Sequence, residues 1–148
     1  MVTLIRKGSY KGAFCMFTDS NKLLATDLLS AIKFFNQKGW SPATSTNYSV
    51  CSSHPREYII SRSGVDKSQF NLEDLILINP EGQVLAPFNN PGIKSSAETE
   101  IHTHIYQKYP EVHCVLHTHS VLGTTLSLTH APEKQLKFSG FEIQKGLD

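Results

Sequence analysis

Cysteine is scarce in this 148-residue chain and follows no pattern. Cys15, Cys51 and Cys114 are odd in number, widely spaced and free of any C-x-x-C motif. That excludes a disulfide framework and points to a reducing, cytoplasmic compartment. No apolar run approaches the roughly 20 residues that a membrane span requires, so no membrane association is expected. The basic start MVTLIRKGSYKG is followed by neither an apolar h-region nor a small-residue cleavage site, and no secretory leader is expected. An excess of one charge is also missing. The formal net charge is +1, which gives no general pull toward nucleic acid, so an anionic ligand must be held by a local site. There is no P-loop, no dinucleotide fingerprint, no internal repeat and no low-complexity segment.

What is present is the composition of an ordinary globular domain, 39% hydrophobic and 18% charged. The length corresponds to one domain with room for a sizeable core. Met1–Ser20 reads as an extended lead-in. A helix follows, capped by Asp19, Ser20 or Asn21, with Leu24, Leu28, Ile32 and Phe35 on one face and Gly39 at its C-terminus. NYSVCS and EYIIS read as a hairpin around Ser53, His54, Pro55 and Arg56. SRSGVDK is a loop, NLED a single turn, and LILIN a strand that Pro80, Glu81 and Gly82 reverse into QVLA. A second helix is expected from about Ser96 to Pro110, capped by Ser95 or Ser96, with Glu98 and Glu100 in its first turn. EVHCVLHTH is rich in strand formers, and Ser120 can cap a third helix, VLGTTLSL. The tail reads as a strand, KQLKFSG, and the start of a helix, FEIQKGLD. Alternating strands and helices give α/β, and the hairpins make part of the sheet antiparallel.

Histidine is abundant: seven residues, scattered from His54 to His130. The triplet His-Thr-His occurs twice. His102 and His104 fall inside the second helix, where residues two apart point to nearly opposite sides and cannot share a metal. They read as helix histidines, one able to be buried and the other solvated. His117 and His119 end a strand, where residues two apart face the same way. They can converge on one cation, or be two ordinary strand-end histidines. A catalytic zinc takes three protein ligands and an open position, so two histidines make half a site.

Glu98 and Glu142 are candidate acid/base carboxylates, although composition alone favours a helix-dipole carboxylate for Glu98 and a solvated helix residue for Glu142. Thr44-Ser45-Thr46-Asn47, Ser63-Gly64 and Ser95-Ser96 are loops able to hold an anion, with Lys67 adding positive charge nearby. Each is also ordinary loop composition.

Together, GWSPATSTNYS, ISRSGVDKSQFNLEDLILIN, KSSAETEIHTHIYQKYPEVHCVLHTHS and FSGFEIQKGLD resemble the class II aldolase/adducin family, and within it the methylthioribulose-1-phosphate dehydratase branch. The resemblance covers about Leu23 to the end, and GFEIQKG favours the dehydratases over the aldolases. It implies an α/β fold with a mixed, largely antiparallel central sheet and helices on both sides. It implies that His117 and His119 bind one Zn²⁺ per subunit and that Glu142 is the dehydratase acid/base. Glu98 matches the acid/base glutamate of the sugar-phosphate aldolases and would serve here as a secondary proton carrier or supporting group. Asn47, Ser63, Gly64 and Ser96 match the phosphate pocket. The implied partners are a small phosphorylated ketose and like copies in a homotetramer, with the reaction belonging to methionine salvage.

Three positions depart from the family pattern. Thr46 stands where glycine is usual, and Cys51 where arginine is common. The family's third metal histidine, in an H-G-[LVI]-Y-like stretch, lies further downstream, and His130 in LTHAPEK is not in its place. Residues 1–148 are therefore expected to be a single domain of this family, incomplete at the C-terminus, with the third ligand beyond Asp148. The alternatives are a class II aldolase or epimerase, which breaks a different bond on the same layout, and a non-catalytic adducin-like interaction domain.

Overall fold

The computed structural model describes residues 17–135 and 137. Helix α1 spans Asp19–Gln37. Its cap is Thr18, one residue before the expected candidates, with the hydroxyl accepting from the Asn21 backbone N–H. Asn21 is instead buried, and its side-chain oxygen accepts from the Ser53 backbone and hydroxyl. Ala25, Leu28, Leu29 and Ile32 form the buried stripe, with Leu24 and Phe35 packed at its margin. At the other end Gly39 adopts φ +72°, Gly39 N–H donates to Asn36 and Trp40 N–H to Phe35. This is the paired bond pattern of a Schellman stop, which glycine tolerates because it has no Cβ.

Among the described residues a four-stranded sheet runs β3-β2-β1-β4, every neighbouring pair antiparallel. Strand β1 is Asn47–Cys51, β2 Tyr58–Ser61, β3 Leu75–Ile78 and β4 Cys114–His117. The expected hairpin joins β1 to β2 with Cys51 opposite Tyr58. Single turns of 3-10 helix at Lys67–Gln69 and Leu72–Asp74 lead into β3. Asp74 closes a capping box with Asn71 and takes two N–H donations from Arg62. After β3, Gly82 at φ +77° turns the chain back, and Val84 bridges to Ile78. Helix α2 spans Thr99–Lys108 and α3 spans Val121–Thr129. Ser120 caps α3 by accepting from Gly123 N–H, as its position suggests. Of the tail strand expected over KQLKFSG, Lys134 lies in a turn and Gln135 and Lys137 in no regular element; the rest, with the helix after it, lies outside the described residues.

The two-residue period of β1 separates the layers. Tyr48 points to α1, where its ring stacks on Phe35 at 6.0 Å. Ser49 points the other way, to His102 and Tyr106 of α2. The helices therefore lie on opposite faces of the sheet, as the family resemblance implies. Between them Tyr48, Ile59, Ile60, Leu75, Ile76 and Ile78 are essentially sealed from solvent. At the β4 edge the packing is open: Leu116 is exposed, no α3 residue is buried, and Val121, Leu122 and Leu128 are exposed.

Candidate functional site

The site forms where β1 begins and β4 ends. Asn47 and His117 are direct cross-strand partners, so both project to the α2 face of the sheet. His119 lies past the strand, and its backbone N–H is held by the Trp40 carbonyl at 2.8 Å. Trp40 in turn stacks on Phe35 at 5.7 Å. The stop of α1 thus fixes the exit of β4, and the His117 and His119 rings meet with centroids 4.7 Å apart.

Their Nε2 atoms face each other at 3.1 Å. Two imidazole nitrogens on a tetrahedral zinc, each about 2.0–2.1 Å from it, stand roughly 3.4 Å apart. The pair fits a shared cation with an adjustment of a few tenths of an ångström. On the other side of the His117 ring, Nδ1 is buried and lies 3.2 Å from Glu98 Oε2, close but outside hydrogen-bonding alignment. A carboxylate behind a histidine favours the tautomer that leaves Nε2 free to ligate. Among the described residues no group of three or more histidine, cysteine or acidic side chains is gathered for a metal ion, so the described part of the site is the two-histidine half.

Glu98 sits at the N-cap of α2 and not in its first turn, and the helix starts later than the Ser96 boundary. The reason is local. Ser96 Oγ accepts from both the Glu98 backbone N–H and Asn47 Nδ2, the latter at 3.0 Å. Asn47 Nδ2 also donates to Glu98 Oε2. The chain is held back by contacts to β1 before it can close into helix. Ser63 and Gly64 approach from the side: the Arg62–Ser95 bridge and the Ser63 N–H to Lys94 bond lay their loop along the segment leading to Ser96. Gly64 has φ +76° and open space where a Cβ would be. Asn47, Ser96, Glu98, His117 and His119 are thus brought together, with Ser63 and Gly64 alongside, and Glu142 lies outside the described residues.

Thr46 occupies the family's glycine position with φ +77°, a conformation unfavourable for a β-branched residue. Its hydroxyl is buried without a partner.

The sequence pattern gave no role to His102, Ser49 or Tyr106. His102 is 1% exposed and bridges Ser49 Oγ, at 2.7 Å, to Asn47 Oδ1. Burial, with a smaller contribution from His117, pushes its imidazole down to about 4. Tyr106 Oη bonds Ser49 Oγ at 2.7 Å, and burial pushes the phenol well above its ordinary range. The available signal was a pair of spacings: Asn47 and Ser49 share one strand face, and His102 and Tyr106 one helix face.

The family model of the class II aldolase and adducin N-terminal domain matches residues 26–145, and the chain belongs to that family. Its sequence places it on the branch that holds the methylthioribulose-1-phosphate dehydratases. It is 49% identical over 120 residues to the one from Picosynechococcus sp., covering 81% of this chain and 55% of that one. It is 43% identical over 122 residues to the one from Pseudomonas fluorescens, covering 82% and 56%. The chain therefore spans about 55% of the length of these curated relatives. Among solved structures it superposes on an L-fuculose 1-phosphate aldolase from Glaciozyma antarctica PI12 with a TM-score of 0.66 at 25% identity, over 76% of this chain and 47% of that chain. An aldolase II superfamily protein from Pseudomonas syringae gives 0.68 at 18% identity, over 76% and 45%, and so shares the fold.

Proposed function

We propose that this site serves a methylthioribulose-1-phosphate dehydratase, converting 5-methylthioribulose 1-phosphate to 2,3-diketo-5-methylthiopentyl 1-phosphate and water in methionine salvage. The observation that carries the reading is the pair of Nε2 atoms facing each other at 3.1 Å beside Glu98 and Asn47. His117 and His119 would hold a divalent metal, zinc by the family pattern, with a third ligand from outside the described residues. Bound there, it would supply Lewis-acid polarisation of the substrate carbonyl. Glu98 would orient His117 through Nδ1. The amide of Asn47, the hydroxyl of Ser96 and the Ser63-Gly64 loop would hold the phosphate and use its binding energy for positioning.

The substrate's ketone at carbon 2 acidifies the hydrogen on carbon 3. Loss of that proton and of the carbon 4 hydroxyl as water leaves an enol, which tautomerises to the diketone. Glu142 would protonate the departing hydroxyl, with the same carboxylate or another base taking the carbon 3 proton. Glu142→Gln should abolish turnover and leave metal content unchanged; undiminished turnover in that variant overturns the assignment.

The reading treats residues 1–148 as one domain of the family acting in the cytoplasm. No helix among the described residues is long and apolar enough to cross a membrane. The exposed apolar helix α3 beside the histidines supports assembly with like copies, a tetramer by the family pattern, which sedimentation tests. One observation favours a second reading: Glu98, the residue that matches the aldolases' acid/base, lies against His117. Assays with fuculose, rhamnulose and ribulose phosphates beside methylthioribulose phosphate separate the two. Cleavage or epimerisation of the former, with no dehydration of the latter, selects an aldolase or epimerase.

A further inference from the structure

His102 belongs to neither the expected metal pair nor the expected phosphate loops, yet it stands behind both. A carboxylate accepts hydrogen bonds and does not donate. The Asn47 atom facing Glu98 must therefore be its NH2 group, which also donates to Ser96. Asn47 Oδ1 is then the atom that faces His102, so His102 Nε2 must carry the proton of that bond. A neutral ring protonated on Nε2 accepts at Nδ1, so Ser49 donates to it. Ser49 Oγ in turn accepts from Tyr106. Glu98 at one end thus sets every proton along the chain Tyr106, Ser49, His102, Asn47. The burial of His102, 1% exposed, keeps the ring in the neutral form that this order requires.

We propose that His102 is a positioning residue for anion binding: its Nε2–H holds Asn47 Oδ1 and keeps the amide's two N–H groups turned to Ser96 and Glu98, where an incoming phosphate ester can take over one of the two donations. The role in binding rests on the phosphorylated-ketose reading; the orientation of Asn47 does not. With the amide reversed, a carbonyl oxygen would face the phosphate and repel it. In the observed order Asn47 presents its NH2 group on that side and its carbonyl oxygen to His102.

Two amide substitutions separate this from a merely structural role. The amide of His102→Gln reaches the Nε2 position and can donate to Asn47. That of His102→Asn reaches only the Nδ1 position and contacts Ser49. Both introduce the same group into the same buried site. Inorganic phosphate is titrated into 15N-labelled wild-type and variant protein, following the Asn47 side-chain amide and the His102 imidazole nitrogens. Wild type should show His102 protonated on Nε2 alone at neutral pH and an Asn47 amide that shifts with phosphate. His102→Gln should keep most of the affinity, and His102→Asn should lose roughly tenfold, the effect of one hydrogen bond to an anion. A proton on Nδ1, or equal affinities in the two variants, overturns the proposal. If wild type takes up no phosphate, the phosphorylated-substrate reading fails by itself. The wild-type tautomer then decides alone: Nε2–H supports the positioning of Asn47, and Nδ1–H overturns it.

Discussion

His102-Thr103-His104 and His117-Thr118-His119 are the same tripeptide carried on two different backbones. On α2 two residues subtend about 200° around the axis. His102 is buried among polar partners from β1, and His104 is exposed in an open groove with Pro80, Glu81 and Glu100. At the end of β4 the same spacing returns to the same face, and the two Nε2 atoms come to 3.1 Å. One triplet divides its histidines between interior and solvent, and the other brings them together. The motif has no chemistry until the backbone period assigns it one. Asn47 joins the two copies, being the cross-strand partner of His117 and the hydrogen-bond partner of His102.

Breaking the strand-end copy should have the largest effect. His117→Ala or His119→Ala should weaken zinc binding by on the order of 100-fold or more, while His104→Ala leaves it unchanged. Metal titration followed by calorimetry reads this. Equal losses from all three substitutions would erase the contrast.

In the helical copy the asymmetry should appear as stability. His102→Ala leaves Asn47 Oδ1 without its buried donor and Ser49 with Tyr106 alone, and should cost about 3 kcal/mol, against about 0.5 kcal/mol or less for His104→Ala, by urea unfolding. The same residue should make the fold acid-sensitive. Its native value is about 4 against 6.5 for a free imidazole. Between those limits the unfolded chain binds a proton that the native protein does not, so stability rises with pH. Full stability is present above about 6.5, and on the order of 2–3 kcal/mol is lost as the pH falls to about 4. The charges that bear on the ring are those of His117 and Glu98. His102→Gln should flatten this part of the profile, and an unchanged slope would assign the acid sensitivity to another group.

Two smaller effects test the connection between the copies. Glu98→Gln removes the carboxylate behind His117 and should weaken metal binding roughly tenfold with little loss of stability. Thr46→Gly relieves a β-branched residue at φ +77° and removes a buried hydroxyl without a partner. The lost constraint on the unfolded chain offsets part of the gain, leaving about 1 kcal/mol of stabilisation. No gain in thermal stability would mean that Thr46 has a favourable contact of its own.

Most of the framework was legible in the sequence because its signals are local. The apolar stripe of α1, the left-handed glycine after it, the β1–β2 hairpin and the Ser120 cap each depend on residues a few positions apart. The errors lie where a distant partner competes with a local rule. Asn21 is a good capping residue, but it is buried against Ser53, and Thr18 caps the helix. Ser96 is a good cap for α2, but Asn47 engages its hydroxyl and the helix begins three residues later. His102 read only as a helix histidine, buried or solvated, because nothing within its own helix shows that Asn47 and Ser49 lie opposite.

The sequence by itself determined the family, through the resemblance of its motifs, and it determined the α/β class and the strand-end spacing that turns His117 and His119 to one side, because periodicity and cap chemistry act within a few residues. Only the tertiary structure decided the partners of those histidines. Glu98 lies against His117, Asn47 bonds Ser96, and His102 is bound to Asn47 across 55 positions of chain. Contacts of that kind follow from strand register and from the face on which a helix packs, and no local pattern encodes either.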